Sequence, residues 1–199
     1  MGGGKMIIGL MGNSGSGKST VAQYLKEKGA YIIDADKIAH EICDVGQEGH
    51  KAVKAAFEPY FFNDDGSLNR HRMGMYVFAN KEELKRLESV LHPIVIKRVK
   101  EQLHAAHEDL IVVDCALLVK TGLYKVVEEV WLVRASDDTK IERICKRDQI
   151  PMEQALNRLR NQLDEGVLMG YAQKIIVNEG TKEQLLEQVE EFLHDNEKK

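Results

Sequence analysis

The chain of 199 residues is 43% hydrophobic, which is enough for one substantial core, and its length predicts a single domain with an elaboration. A formal net charge of -4 offers no basic excess to offset phosphates, so we expect no nucleic acid partner. No run approaches the roughly 18 apolar residues that span a bilayer, so we expect a soluble protein with no membrane partner.

The three cysteines stand far apart, at Cys43, Cys115 and Cys145. They form no closely spaced pair of the kind found in disulfide frameworks and zinc sites. We therefore expect a cytoplasmic protein in a reducing compartment. The glycines at positions 2–4 are expected to be a flexible lead-in without a function, and nothing in the sequence indicates the oligomeric state.

The chain opens with a strand, a glycine-rich loop and a helix. Met6–Met11 is a short apolar run of strand length, and Lys18–Lys28 has a helical pattern that stops at Gly29. Between them, Gly12–Ser19 matches the phosphate-loop pattern G-x-x-x-x-G-K-[ST] in full. The strand before it and the helix after it are the context that supports this motif.

A loop of this kind binds a nucleoside triphosphate through backbone N–H groups and the positive end of the helix. Lys18 is expected to reach the β- and γ-phosphates, and the Ser19 hydroxyl to coordinate Mg²⁺. The alternative is a glycine-rich turn with a surface lysine. The residues expected to contact ATP are Asn13, Ser14, Gly15, Ser16, Gly17, Lys18, Ser19 and Thr20.

A second buried strand, Tyr31–Asp34, leads into the triplet Asp34-Ala35-Asp36. Ligands of open α/β sheets bind at the carboxyl ends of the strands, so a carboxylate here could orient an acceptor hydroxyl and accept its proton. If the strand continues, the two aspartates face the same way. Otherwise Asp36 caps the following helix, and the residues alone leave both readings open.

The gap from Asp36 to about Glu108 is too long for one crossover and predicts a helical insertion. Asn63–Gly66 is predicted to be a turn. Proline suits a first helical turn and not an interior, so His92-Pro93 should end one helix and begin the next. The predicted helices are Ile38–Ile42, Gly49–Phe57, Arg70–Phe78, Lys81–Leu91 and one that starts near Pro93.

Three further strands are predicted at Asp109–Asp114, Glu129–Val133 and Lys174–Asn178. Asp114 ends its strand in the position of an acid that holds Mg²⁺ directly or through water. The alternative is an aspartate that merely ends a strand. Strands that are apolar throughout are typical of a parallel sheet covered on both faces, so the sequence predicts an α/β fold of three layers with five parallel strands.

Between the last two strands lies an arginine-rich helical stretch, from Asp137 to about Val167. Arg143 and Arg147 stand at helical spacing in it, with a break behind them at Pro151. A mobile lid could bring such cations onto a transferring phosphoryl group. The alternative is an ordinary solvated helix face.

In combination, these residues resemble one family, dephospho-coenzyme A kinase, over nearly the whole chain. The order of Asp-Ala-Asp, D-G-x-L-x-R, V-F and L-x-x-x-x-H-P after a phosphate loop is hard to obtain from another small-molecule kinase. The matching stretches are GLMGNSGSGKSTVA, IIDADKIAHEI, DDGSLNRHRMGMYVFAN, LESVLHPIV, VVDCALLV, IERICKRD and IIVNEG.

The resemblance implies a P-loop NTPase fold and transfer of the ATP γ-phosphate, with Mg²⁺, to the ribose 3′-hydroxyl of dephospho-CoA, the last step of coenzyme A synthesis. It implies that Asp36 is the catalytic carboxylate, that Lys18 acts on ATP, and that Arg143 and Arg147 belong to the lid. For His92 the alternative is a structural role before Pro93. The implied acceptor-binding residues are Asp34, Arg70, His92 and Leu117, and those against the adenine are Asn178 and Gly180.

The resemblance also implies a division of the chain. The core is expected at about 5–35, 108–136 and 168–199, the acceptor-binding insertion at about 36–107 and the lid at about 137–167. The sequence departs from the usual family pattern at Ala116 and Lys120, which replace a proline and a carboxylate, and at Gln173, which replaces an aspartate.

Two other functions share these residues. The first is a P-loop kinase for a nucleoside monophosphate or another small acceptor. The second is a nucleotide-binding switch, although the sequence lacks the Asn-Lys-x-Asp motif that reads guanine.

Overall fold

The structure, a computed structural model, describes residues 5–197. The glycines at positions 2–4 and the last two residues of the predicted core lie outside this range. Five parallel strands form one sheet in the order β2-β3-β1-β4-β5. They are β1 (Met6–Met11), β2 (Tyr31–Asp34), β3 (Leu110–Asp114), β4 (Glu129–Arg134) and β5 (Lys174–Val177). All five lie within one residue of their predicted bounds.

The helices connect the strands and account for most of the remaining chain. No helix in the described range is long and apolar enough to cross a membrane. Two 3₁₀ turns, at Pro59–Phe61 and Leu123–Val126, complete the set. The α-helices are α1 (Lys18–Glu27), α2 (Ala35–Glu41), α3 (Glu48–Ala56), α4 (Arg70–Ala79), α5 (Lys81–Ala105), α6 (Leu118–Thr121), α7 (Asp137–Asp148), α8 (Met152–Arg160), α9 (Glu165–Met169) and α10 (Lys182–Glu197).

Both faces of the sheet are covered, which confirms the three-layer α/β fold. On one face, Ile8 and Leu10 of β1 share a buried cluster with side chains of α1 and α10. Gly9 lies between them and therefore faces the other way. A Cβ on Gly9 would meet the Leu118 side chain of α6 at 2.8 Å, so helix and sheet approach closely on that second face.

The described chain divides into two compact units, 5–33 with 106–197 and 34–105. The second unit is helical and has its own buried cluster, to which α3, α4 and the turn at Pro59–Phe61 contribute. Its predicted turn is confirmed, because the Asn63 N–H donates to Ser67 O at 2.8 Å and Gly66 adopts φ 80°. Each unit thus buries apolar surface of its own.

One prediction about this unit is wrong, since Pro93 does not end a helix. The helix α5 runs without a break from Lys81 to Ala105 with Pro93 inside it. The proline nitrogen cannot donate to the Ser89 carbonyl four residues earlier, which normally costs about 3 kcal/mol. Buried residues after the proline, such as Ile94 and Val95, and the partly buried Leu91 before it keep the helix continuous by packing.

Replacing the proline tests this account. Pro93 is exposed, so Pro93→Ala loses little packing while restoring a helical hydrogen bond. We expect the free energy of unfolding to rise by up to about 3 kcal/mol. Urea unfolding followed by circular dichroism measures the change. The matched change Lys100→Ala, also exposed on α5, should move it by no more than about 0.5 kcal/mol. A less stable Pro93→Ala protein would show that the proline ring stabilises the helix.

Candidate active site

The phosphate loop joins β1 to α1 and depends on two glycines with left-handed backbone. Gly15 and Gly17 have φ of 81° and 99°, values that other residues rarely adopt. Gly17 is the N-cap of α1 and supplies no side-chain cap. The hydrogen bonds of α1 begin with the Thr20 and Val21 N–H groups, which donate to the Gly17 carbonyl. The N–H groups before them stand at the helix start, the place where helices bind anions.

Lys18 and Asp114 meet beside this loop. Lys18 opens α1, Asp114 ends β3, and their side chains form an ion pair in which they are 15% and 14% exposed. The neighbouring Ser19 is exposed. A lysine, a hydroxyl and a carboxylate thus come from two adjacent elements, because β1 and β3 are paired strands whose carboxyl ends lie at the same edge of the sheet.

These oxygen donors fit Mg²⁺. The cation prefers hard oxygen ligands and usually takes only one or two from the protein, with the rest from water and substrate phosphates. In residues 5–197, no three His, Cys, Asp or Glu side chains cluster as a complete metal site would require. Ser19 and Asp114 match the sparse protein contribution that a phosphate-bound magnesium needs.

The arginine-rich stretch contacts the loop directly. Arg143 of α7 donates to the Gly15 carbonyl at 3.3 Å and to the Asn178 carbonyl at 3.1 Å. Arg147 donates to the Ser14 hydroxyl at 3.3 Å. Arg143 therefore fastens the loop to the segment after β5, while the exposed Arg147 lies at the edge of the loop. An entirely solvated helix face is excluded for these two residues.

Two further contacts come from the turn between α8 and α9, and no sequence pattern predicts them. The Ser14 N–H donates to the Gln162 side chain at 3.0 Å, and the Asn13 side chain donates to the Leu163 carbonyl at 3.2 Å. The residues in contact are about 150 positions apart along the chain. No local sequence motif indicates such a distant partner.

Asn178 is more closely tied to the loop than predicted. It is 8% exposed, and its side chain donates to the Ser16 carbonyl at 2.8 Å. The Asn178 side chain, which the family resemblance places against adenine, thus binds the backbone of the phosphate loop. Gly180 lies two residues further on, where a Cβ would collide with the Gln184 side chain.

The helices α7 and α8 form a small body with a cluster of its own, including Ile141, Ile144 and Ala155. Asp148, the last residue of α7, joins the two helices because its carboxylate pairs with Arg158 of α8. The same carboxylate pairs with the adjacent Arg147 at 2.8 Å. The hydrogen bond from Arg147, assisted by Arg158, lowers the pKa of Asp148 to about 2. The carboxylate is therefore charged at neutral pH and holds both arginines.

The buried Lys140 holds the same stretch together through two ion pairs. Burial alone would lower its pKa, but hydrogen bonds to Asp137 and Glu165 outweigh that effect and raise it. The Lys140 ammonium lies 2.8 Å from Asp137 and 3.2 Å from Glu165. The backbone of Lys140 packs on the loop, where a Cβ on Gly15 would meet its carbonyl at 2.6 Å.

In the unit 34–105, the structure settles which aspartate caps α2. Capping by Asp36 is wrong: Asp34 is the N-cap and accepts the Lys37 N–H at 2.8 Å. The helix begins at Ala35, one residue before Asp36, so Asp36 stands within the first turn. Asp36 is exposed.

The other predicted acceptor residues differ in what they contact. Arg70 opens α4 and reaches α2, donating to the His40 carbonyl at 2.9 Å and to Asp44 at 3.2 Å. His92 is half-buried within α5 rather than before a helix break. In the other unit, Leu117 precedes α6 and is 41% exposed, which leaves an apolar side chain at the surface after Asp114.

One departure from the family pattern has a structural role. Gln173 pairs with Val130 at the start of β4: its N–H donates to the Val130 carbonyl at 2.9 Å, and its side chain accepts the Val130 N–H at 2.7 Å. The glutamine therefore extends the pairing of β5 and β4. Nothing in the structure explains the exchange at Ala116.

Comparisons with known proteins agree with this geometry. The family model described as dephospho-CoA kinase matches residues 6–184. A dephospho-CoA kinase of Halalkalibacterium halodurans is 38% identical over 179 residues, covering 88% of this chain and 89% of the relative. A crystal structure of a Thermus thermophilus protein has a TM-score of 0.84 at 30% identity, with 96% of this chain and 98% of that chain covered. A dephospho-CoA kinase from Campylobacter jejuni gives 0.67 at 26% identity over the same shares.

A substitution at Gly17 tests the loop. In Gly17→Ala the alanine has to adopt an unfavourable positive φ, and its Cβ collides with the Asn178 side chain. The matched variant Gly29→Ala has nearly the same φ, 95°, but no atom within 4 Å of the new Cβ. We expect both to lose about 1–2 kcal/mol of stability from the backbone, and only Gly17→Ala to lose ATP binding, measured by calorimetry. Equal ATP affinity in the two variants would contradict this description of the loop.

Proposed function

The chain belongs to the dephospho-CoA kinase family, and from this premise we propose how its residues transfer the γ-phosphate of ATP to the ribose 3′-hydroxyl of dephospho-CoA, the last step of coenzyme A synthesis. The observation that carries the proposal is the complete phosphate loop, with its left-handed glycines, within a family match over residues 6–184. A kinase for another small acceptor or a nucleotide switch has no comparable support.

ATP occupies the phosphate loop in this proposal. The loop from Asn13 to Thr20 surrounds the phosphates, and Lys18 moves from Asp114 to the β- and γ-phosphates. Ser19 and Asp114 hold Mg²⁺, which neutralises charge on the phosphate oxygens when bound. Arg147 adds a positive charge beside Ser14. The segment from Asn178 to Gly180 lies against the adenine, although the Asn178 side chain chiefly supports the loop.

Asp36 acts on the acceptor. The 3′-hydroxyl oxygen forms a bond to the γ-phosphorus, the bond to the β–γ bridging oxygen breaks, and ADP leaves with that electron pair. The hydroxyl proton passes to the Asp36 carboxylate. We assign the insertion 36–107 to acceptor binding through Arg70 and His92, with Leu117 as an apolar contact, and 137–167 to a lid. Asp34 contributes mainly by capping α2, because its carboxylate accepts the Lys37 N–H.

The compartment proposed is the cytoplasm. Cys43, Cys115 and Cys145 form no disulfide, and the first two are buried. Burial raises the pKa of the Cys43 thiol, so it stays protonated at neutral pH. Buried thiols outside disulfides are typical of proteins in a reducing environment, where ATP is also supplied.

The decisive experiment follows ADP release by the purified protein with Mg-ATP and alternative acceptors. We expect dephospho-CoA to be strongly preferred over nucleoside monophosphates and adenosine, and activity to vanish when EDTA removes the metal. Preference for a nucleoside monophosphate would establish the alternative kinase. Nucleotide binding without any turnover would favour a switch.

A variant of the catalytic carboxylate tests the mechanism. Asp36→Asn removes the proton acceptor but leaves the ATP site, so we expect kcat to fall about 100-fold or more while KM for ATP stays within about twofold. Glu41→Gln removes an exposed carboxylate from the same helix and should leave both constants unchanged. Near-normal turnover by Asp36→Asn would contradict this role and make Asp34 the candidate proton acceptor.

A further inference from the structure

The turn between α8 and α9 holds one peptide group of the phosphate loop from outside. The Gln162 side chain accepts the Ser14 N–H at 3.0 Å. Next to it, the Leu163 carbonyl accepts the Asn13 side chain at 3.2 Å. Both contacts fall on the first half of the loop, upstream of the residues that open α1.

The peptide group between Asn13 and Ser14 has a second task on its other side. The Asn13 carbonyl accepts the Ser16 N–H at 3.0 Å, which closes the turn that shapes the loop. A peptide group is planar and trans, so its N–H and C=O point in opposite directions. The acceptor that fixes the Ser14 N–H therefore also fixes the direction of the Asn13 carbonyl.

Two further peptide groups of the loop are held through their carbonyl groups. Arg143 donates to the Gly15 carbonyl, and Asn178 donates to the Ser16 carbonyl. With the Ser16 carbonyl turned outward, the Gly17 N–H points the opposite way, as anion binding requires. Gln162 adds a third contact to this set, because it holds the Asn13–Ser14 peptide group through the Ser14 N–H.

We propose that Gln162 is a positioning residue of the kinase, which holds the Asn13–Ser14 peptide so that the loop is shaped for ATP phosphates before ATP binds. Without this acceptor the peptide rotates more freely, and a rotated Asn13 carbonyl no longer accepts the Ser16 N–H that closes the turn of the loop. The inference rests on the proposed function, because it assumes that the loop binds ATP. It concerns ATP alone, so binding of the acceptor should be unaffected.

Gln162→Met tests the idea, since methionine has a similar length but no oxygen to accept the Ser14 N–H. We expect KM for ATP to rise about 3- to 10-fold, the effect of one lost hydrogen bond. KM for dephospho-CoA and Tm should stay as in the wild type. Hydrogen exchange of the Ser14 amide, followed by NMR without nucleotide, should accelerate.

Two companions make the test specific. Gln162→Glu retains an acceptor oxygen and should restore slow exchange at Ser14. Asn161→Ala removes a neighbouring side chain that donates to the Asn157 carbonyl of α8 rather than to the loop, so it should match the wild type throughout. If Gln162→Met folds poorly, Gln162→Ala removes the same acceptor with less bulk and replaces it.

Unchanged Ser14 exchange and unchanged KM for ATP in Gln162→Met would overturn the inference. A fall in Tm together with a rise in both KM values would also overturn it, because that pattern indicates general structural damage. The proposed function fails separately, if the wild type shows no turnover of dephospho-CoA. In that case the exchange measurement and calorimetric ATP binding still decide whether Gln162 positions the loop.

Discussion

A loop that presents N–H groups to a phosphate must turn carbonyl groups the other way, and those carbonyls need donors. This constraint organises the part of the protein around the phosphate loop. Arg143 and Asn178 donate to two successive carbonyls, Gly15 and Ser16, from elements far away in sequence. Because a buried polar group without a partner costs about 1–3 kcal/mol, each of these distant donors stabilises the loop in this shape.

The same constraint explains which groups the arginines of residues 137–167 contact. Arginines at helical spacing were expected to act on the transferring phosphoryl group. In the structure, Arg143 is used on backbone carbonyls, and Arg147 is shared between Asp148 and Ser14. A segment with its own apolar cluster and several contacts to the loop serves as a support for that loop, and any lid motion has to preserve or exchange those contacts.

The sequence predicted the strands, the loop and the turn at Asn63–Gly66 because each has a local cause. Apolar runs bury as strands, and glycine permits the left-handed backbone. It failed where distant packing overrides a local signal, as in α5, where buried neighbours keep the helix continuous through Pro93. The sequence left the cap of α2 open, with Asp36 as one alternative, because Asp34 and Asp36 are equally good caps in isolation. Gln162 was missed because its partner is 148 positions away.

The two aspartates of the Asp34-Ala35-Asp36 triplet now have separate tasks for a geometric reason. A helix that starts at Ala35 makes Asp34 the cap, and the cap must keep its oxygen on the Lys37 N–H. Asp36 then lies within the first turn of α2 and is exposed, so its carboxylate is not the cap of that helix. For this geometric reason the proposed role of proton acceptor belongs to Asp36 rather than to Asp34.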